Sequence, residues 1–255
     1  MRRLRLLALA LVLPAPGVAS GIAPGTAHAA AVQVAVAANF TEPARELAER
    51  FQRSTGHKAV LTFGSSGQFA AQIANGAPFE VFLSADVERP QKLEADGFAV
   101  PGSRFTYATG RLVLWSRDPR RVDRRGQVLS GGGFDKLAVA DPKVAPYGLA
   151  AVETLRGLGL YDRLRPRLVQ GSSITQTYQF VSTGAAELGF VALSQAVAQK
   201  GGSRWLVPAS LHSPIEQQAV VLKIGARNPA ATAFAGYLKS PDARAVIRKY
   251  GYEVK

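Results

Sequence analysis

Short apolar runs alternate with helical patterns along most of the chain. Residues 32–37 predict a strand, and from position 41 apolar residues recur at the i, i+3, i+4 and i+7 spacing of a helix that Gly56 ends. The same unit recurs twice, with strands at 59–63 and 80–84 and helices at 67–75 and 88–95. Such alternation predicts an α/β fold with parallel strands.

A longer stretch rich in β-branched and aromatic residues, 105–115, and its counterpart, 215–224, flank a central block of the chain. The block has its own predicted strands at 137–140 and 188–193 and helices at 147–156 and 174–182. Helices at 229–239 and 242–250 follow the second stretch. We therefore expect two lobes, each with a mixed or parallel sheet, joined by two crossover strands. Residues 30–108 with 223–255 would form lobe I, and residues 109–222 would form lobe II.

The first 29 residues have the pattern of a secretory signal peptide. Three arginines precede an apolar run at 6–13, and small residues follow up to Ala27-His28-Ala29. The apolar run is too short to span a bilayer. The chain has no cysteine, which excludes disulfides, thiolate metal ligands and a lipidated cysteine at the cleavage site. The expected product is a soluble periplasmic protein that begins near Ala30.

The chain is strongly basic, with a formal net charge of +13, of which three charges belong to the signal peptide. Its arginine clusters, at 117–125 and 163–167, lack interleaved aromatic residues and match no nucleic-acid-binding module. Export also argues against a nucleic-acid partner. We interpret these arginines as solvated surface residues that help to attract anions.

Four strand-to-helix turns built from small residues are the most informative features of the chain. Backbone N–H groups at a helix N-terminus are unpaired and lie at the positive end of the helix dipole, so each turn is a candidate anion site. In open α/β sheets, ligands bind beyond the carboxyl ends of strands, where these turns lie. Two turns fall in each predicted lobe, at residues 37–40, 64–67, 145–148 and 171–174.

Two other classes of function fit the sequence less well. Ser65 or Ser66 could act as the nucleophile of a secreted serine hydrolase, but the mature chain has only His57 and His212 as bases, and neither lies in a triad context. The turn also lacks the Gly-x-Ser-x-Gly pattern. A cation site would need carboxylates, and the acidic residues are scattered. We therefore predict neither an enzyme nor a cofactor.

A set of motifs in a consistent order covers nearly the whole mature chain and resembles the periplasmic molybdate-binding proteins of ABC transporters. The motifs are Ala-Ala-Asn-Phe at 37–40, Gly-Ser-Ser-Gly-Gln at 64–68, Gly-Ala-Pro at 76–78, Leu-Ser-Ala-Asp at 83–86, Ala-Pro-Tyr-Gly-Leu-Ala at 145–150, Gly-Ala-Ala-Glu-Leu-Gly-Phe-Val-Ala-Leu at 184–193 and Lys-Tyr-Gly-Tyr at 249–252. The resemblance implies a two-lobed, type II periplasmic-binding fold. It also implies capture of molybdate or tungstate for a membrane permease, by a protein that we expect to be a monomer. Sulfate, phosphate and chromate remain alternative ligands.

The resemblance also implies which residues bind the oxyanion. Asn39 and Ser66 would contribute from lobe I, Tyr147 and Ile174 from lobe II mainly through backbone N–H groups, and Ala38 is a further backbone donor. Many relatives have serine at position 39 and a tyrosine where this chain has Ala192. We therefore expect the longer Asn39 amide to replace the missing tyrosine hydroxyl as a donor.

Overall fold

The computed structural model describes residues 29–198 and 201–254. All but the last residue of the predicted signal peptide, 1–29, lies outside the described residues. The strands are β1 (Ala31–Ala37), β2 (Lys58–Gly64), β3 (Val81–Ser84), β4 (Phe105–Gly110), β5 (Leu112–Ser116), β6 (Leu137–Ala140), β7 (Leu168–Gly171), β8 (Leu188–Ala192), β9 (Ser203–Leu206) and β10 (Ile215–Val221). The α-helices are α1 (Thr41–Thr55), α2 (Ser66–Ala74), α3 (Glu88–Ala95), α4 (Val128–Gly131), α5 (Pro146–Gly157), α6 (Tyr161–Leu164), α7 (Ile174–Ser182), α8 (Leu193–Ala198), α9 (Pro229–Tyr237) and α10 (Pro241–Lys249).

The first sheet has the strand order β2-β1-β3-β10-β4. Strand β1 pairs in parallel with both β2 and β3, and β10 lies antiparallel between β3 and β4. We call this sheet and its helices lobe I. Its helices cover an apolar core in which Phe51 of α1 makes an edge contact with Phe234 of α9, with ring centroids 5.1 Å apart.

The second sheet has the order β7-β6-β8-β5-β9 and belongs to lobe II. Strand β6 pairs in parallel with β7 and β8, whereas β5 is antiparallel to both β8 and β9. Both sheets are therefore mixed, as predicted. The turns after β1 and β2 in the first sheet, and after β6 and β7 in the second, lead into the helical segments that carry the candidate anion-binding residues.

The predicted helices and strands of the first lobe agree with the structure to within about two residues. The helix predicted from position 41 begins at Thr41, because its apolar side, including Leu47 and Phe51, is buried against the sheet. The sequence analysis did not predict β7 and β9, nor the short helices α4, α6 and α8. These elements are four to six residues long, too short for their periodicity to be distinctive.

The crossing between the lobes differs from the prediction. The stretch at 105–115 is divided at Arg111 into β4 of the first sheet and β5 of the second. The stretch at 215–224 does not cross at all, because β10 pairs only with β3 and β4. Residues 215–221 therefore belong to lobe I, and their predicted place in lobe II (109–222) is wrong. The chain returns through residues 207–214, which include a 3-10 helix at Ala209–Leu211.

Candidate functional site

All four predicted turns meet at one small cavity between the lobes. The five predicted site residues, Ala38, Asn39, Ser66, Tyr147 and Ile174, all line it. The other lining residues come from the same turns and from the loop after β3, and are Ala37, Gly64, Ser65, Ala85, Ala145 and Pro146. Turns of both sheets can line one cavity because they follow strands whose carboxyl ends face one another.

The cavity is lined by uncharged residues. Within the described chain, none of its lining side chains is a lysine, arginine or carboxylate. The favourable groups are instead the N–H groups in the first turns of helical segments, which have no carbonyl partner within their own helix. Together with the helix dipoles, these groups suit an anion that has lost its water shell.

The turn after β1 is a 3-10 helix, Ala38–Phe40, whose carbonyl groups are bonded away from the cavity. The carbonyl oxygen of Ala38 accepts hydrogen bonds from Thr41 Oγ1 at 2.8 Å and from Thr175 Oγ1 at 3.3 Å. The carbonyl oxygen of Asn39 accepts one from Ser194 Oγ at 2.8 Å. Because carbonyl and N–H groups of a helical turn point in opposite directions, we infer that the N–H groups of this turn face the cavity that Ala38 and Asn39 line.

Ser66, the first residue of α2, presents its hydroxyl to the cavity as a donor. Its Oγ accepts a hydrogen bond from the backbone N–H of Ala85 at 2.9 Å, and the side chain is buried. An oxygen that accepts a bond from N–H keeps its own hydrogen free for another acceptor. The loop after β3 thereby holds the Ser66 oxygen in place.

Lobe II contributes the N-termini of α5 and α7. Pro146 is the first residue of α5 and has no N–H, so Tyr147 carries the first N–H group of that helix. At α7, the Ser173 hydroxyl accepts the Gln176 N–H at 3.2 Å, and Ile174, the first residue of the helix, lines the cavity. Tyr147 and Ile174 are both buried, and both line the cavity.

The Asn39 side chain does not occupy the predicted position of an extra donor. Its Nδ2 donates to Gln217 Oε1 and to Tyr252 OH, each at 2.9 Å. Both amide hydrogens are thus used inside the protein. The prediction that the Asn39 amide replaces, as a donor, the tyrosine hydroxyl that relatives have at position 192 is therefore wrong on this geometry. Ala192 itself is fully buried in the core of lobe II.

Three buried tyrosines lie at the base of the cleft, where Tyr252 contacts Asn39 and Tyr107 and Tyr147 contact Gln217. Burial raises the pKa of Tyr107 and of Tyr147 well above the ordinary value near 10, and raises the pKa of Tyr252 to about 12. Desolvation is the largest cause in each case, because an ionised phenol would lie away from water. All three therefore remain neutral hydrogen-bonding groups at neutral pH.

The lobes contact each other directly beside the cavity. Gly67 N–H donates to the carbonyl oxygen of Val144 at 2.9 Å, and Ser65 Oγ donates to that of Ser172 at 2.5 Å. A Cβ atom at position 67 would lie 2.8 Å from Val144 Cα, so the approach depends on glycine. These contacts close the cavity on the side of α2.

Sequence reasoning missed three polar residues beneath the cavity: Gln217, Tyr252 and Ser194. Tyr252 lies in the Lys-Tyr-Gly-Tyr motif, but its partners are distant in the chain. The sign of Gln217 in the sequence is the polar stretch Glu216-Gln217-Gln218 inside the otherwise apolar strand β10. A buried polar residue within such a run is informative, because it needs internal partners.

The two described histidines lie outside this cavity. His57 Nδ1 accepts the N–H of Ala30 at 3.1 Å, and His212 lies in the connection between β9 and β10. No group of three or more metal-ligating His, Asp or Glu side chains occurs among the described residues. The serines of the cavity thus have no histidine base beside them.

Comparison with known proteins identifies the family to which the chain belongs. The model of a family described as bacterial extracellular solute-binding protein matches residues 32–253. This chain belongs to that family. The match covers all ten described strands, apart from the first residue of β1, and all four turns that line the cavity.

Relatives of this solute-binding protein carry more specific names. The chain is 56% identical over 226 residues to a molybdate-binding protein of Rhodobacter capsulatus, covering 89% of each chain. It is 55% identical over 236 residues to the molybdate-binding protein of Azotobacter vinelandii, covering 91% of this chain and 94% of the relative. A solved Azotobacter vinelandii periplasmic molybdate-binding protein superposes with a TM-score of 0.85 at 47% identity, covering 88% of this chain and 99% of that one. The fold is therefore that of a type II periplasmic-binding protein.

Proposed function

We propose that this solute-binding protein captures molybdate or tungstate in the cavity between its lobes and delivers it to the permease of an ABC importer. The observation that carries the proposal is the convergence of four helical N-terminal turns on one small, uncharged cavity. The names of the relatives at 55–56% identity support the same ligand. Ala38, Asn39, Ser66, Tyr147 and Ile174 would bind the oxyanion, with the Ser66 hydroxyl as the side-chain donor.

The donor set suits a fully ionised tetrahedral oxyanion. Backbone N–H groups donate but cannot accept, and the Ser66 oxygen already accepts a hydrogen bond from Ala85 N–H, so the set favours an oxyanion without protons over monohydrogen phosphate. Sulfate carries the same charge as molybdate but has shorter bonds, so some fixed donors would lack good geometry with it. A sulfate-binding protein shares the fold at only 14% identity, so fold alone does not separate these ligands.

The cellular setting belongs to the same proposal. No described helix has both the length and the apolar character needed to cross a membrane. We propose that the protein acts as a periplasmic monomer, exported by means of residues 1–29, and that it meets a membrane permease after binding its ligand. A serine hydrolase is the less favoured alternative, because neither described histidine lines the cavity that holds Ser65 and Ser66.

Isothermal titration of the mature protein against molybdate, tungstate, sulfate and phosphate tests the proposal. We expect one site per monomer for molybdate or tungstate, and affinity for sulfate weaker by roughly a hundredfold or more, equivalent to one or two lost hydrogen bonds to a charged group. Equal affinities for sulfate and molybdate would exclude the proposed selectivity. Turnover of a chromogenic ester at the same purity would favour the hydrolase.

A further inference from the structure

The base of the cleft contains a buried glutamine that contacts residues of both lobes. Gln217 is fully buried in β10. Its Oε1 accepts hydrogen bonds from Asn39 Nδ2 at 2.9 Å and from Tyr107 OH at 3.0 Å. Its Nε2 donates to Tyr147 OH at 3.2 Å. One side chain thus joins the turn after β1 in lobe I to the first turn of α5 in lobe II.

We infer that Gln217 is a positioning residue that sets the spacing between the oxyanion donors of the two lobes without touching the oxyanion. The inference rests on the proposed function. Gln217 does not line the cavity, whereas two of its partners, Asn39 and Tyr147, do. Donors that are held in place before binding cost less free energy to organise, so the Gln217 hydrogen bonds increase affinity through preorganisation.

The local backbone is adapted to this glutamine. The pairing of β10 with β4 shifts register between Gln217 and Gln218, which marks a β-bulge, and bulges re-aim side chains near functional sites. Gly110, at the end of β4, leaves the space that the bonded pair occupies. A Cβ atom there would lie 2.1 Å from Tyr147 OH and 2.7 Å from Gln217 Nε2. The hydrogen bond between the lobes therefore needs glycine at position 110.

The network continues beyond Gln217 to the C-terminal segment. Tyr252 OH lies 2.9 Å from Asn39 Nδ2, 2.7 Å from the Asn39 carbonyl oxygen and 3.0 Å from Ser194 Oγ. Asn39 is consequently fixed by its side chain and its backbone together. This explains how its N–H group is oriented although its amide does not face the cavity.

The neighbouring residue, Gln218, provides a matched control. It is also buried and bonded, to Arg104 Nη1 at 2.8 Å and Thr106 Oγ1 at 3.1 Å, but both partners belong to lobe I. Replacing either glutamine by methionine keeps much of the side-chain volume and removes its hydrogen bonds. Both changes should lower the melting temperature, whereas the positioning role predicts that Gln217→Met alone weakens ligand binding.

The experiment is isothermal titration of folded Gln217→Met and Gln218→Met with molybdate, beside the parent protein. We expect Gln217→Met to raise the Kd about tenfold, the size of one lost intramolecular hydrogen bond at the upper end, and Gln218→Met to change it less than about twofold. Equal Kd values for Gln217→Met and the parent would overturn the inference, as would equal losses in both variants. A parent that bound neither molybdate nor tungstate would instead overturn the proposed function, and the inference with it.

Tyr147→Phe keeps the test decisive if Gln217→Met does not fold. This change removes the hydroxyl that Gln217 contacts and leaves the backbone N–H of residue 147 in the cavity. Weaker molybdate binding by Tyr147→Phe, with little further loss when it is combined with Gln217→Met, would support a shared role. Unchanged binding by folded Tyr147→Phe would contradict it.

Discussion

At the scale of single residues, we propose the Ser66 hydroxyl as the side-chain donor among the described residues that line the cavity. Its oxygen is held by Ala85 N–H, so its hydrogen is available to the ligand. Ser66→Ala should weaken molybdate binding by roughly tenfold to a hundredfold, because a hydrogen bond to a charged group contributes ~1.5–3 kcal/mol. Titration of the purified variant measures this. Ser182→Ala, on the outer part of α7, is the matched control and should bind as the parent does.

Asn39 shows where residue-level prediction from sequence ends. Its place in the cavity follows from a turn at the carboxyl end of a strand, which the local sequence reveals. The direction of its side-chain amide does not follow from the local sequence, because its partners Gln217 and Tyr252 lie 178 and 213 residues away along the chain. For the same reason the consequence of Ala192 could not be assigned from the sequence.

A substitution at Asn39 tests the corrected interpretation. Asn39→Ala removes two buried hydrogen bonds and leaves the Gln217 and Tyr252 groups short of a partner, which should cost on the order of 1–3 kcal/mol of unfolding free energy. Affinity should also fall, but through loss of preorganisation. The double variant Asn39→Ala with Gln217→Met should therefore bind about as tightly as the weaker single variant. If the two substitutions instead lowered the affinity independently, so that their effects on Kd multiplied, Asn39 would be a direct side-chain donor to the ligand.

At the scale of helices and strands, the start of α2 sets how closely the lobes approach. Gly67→Ala would push Val144 and α2 apart, since its Cβ would lie 2.8 Å from Val144 Cα. We expect molybdate binding to weaken at least about tenfold, because donors of both lobes would no longer reach one anion. Gly236→Ala in α9, where a Cβ meets nothing within 4 Å, is the control and should leave affinity unchanged. Parent-like binding by Gly67→Ala would show that this contact is dispensable.

The sequence analysis located the elements that have strong apolar periodicity, and it failed where the choice of a neighbouring strand in the sheet mattered. Helices such as α1 and α7 have distinctive apolar periodicity and were located closely. Strand β10 is a mostly apolar run that fits either sheet, and its pairing with β3 and β4 is decided by long-range register. Edge strand β9 has only four residues and two exposed positions, so no clear pattern marks it.

At the scale of the whole molecule, the buried tyrosines predict how stability responds to alkali. A raised pKa in the folded state means that folded protein holds the phenol proton longer than unfolded protein does. The stabilisation by Tyr252 is therefore complete below about pH 10 and is lost as pH rises through about 12, its pKa in the folded protein. The melting temperature should fall over that interval, and less steeply in Tyr252→Phe. An identical alkaline slope in parent and variant would remove this tyrosine from the explanation.

Binding should also change the shape of the molecule. On the proposal that donors from both lobes bind one ligand, an open, unliganded form should become more compact with saturating molybdate, and its melting temperature should rise. Small-angle X-ray scattering with and without ligand measures the compaction. Sulfate at the same concentration is the control. An unchanged radius of gyration would argue that the lobes are already closed without ligand.

The central claim is that neutral donors from both lobes hold one oxyanion. A crystal structure of the molybdate complex, with anomalous diffraction recorded at the molybdenum absorption edge, tests it most directly. We predict one molybdenum peak per chain, enclosed by Ser66 and the backbone N–H groups of Ala38, Asn39, Tyr147 and Ile174, with no arginine or lysine among its ligands. A peak outside this cavity, or an oxyanion held by basic side chains, would contradict the account.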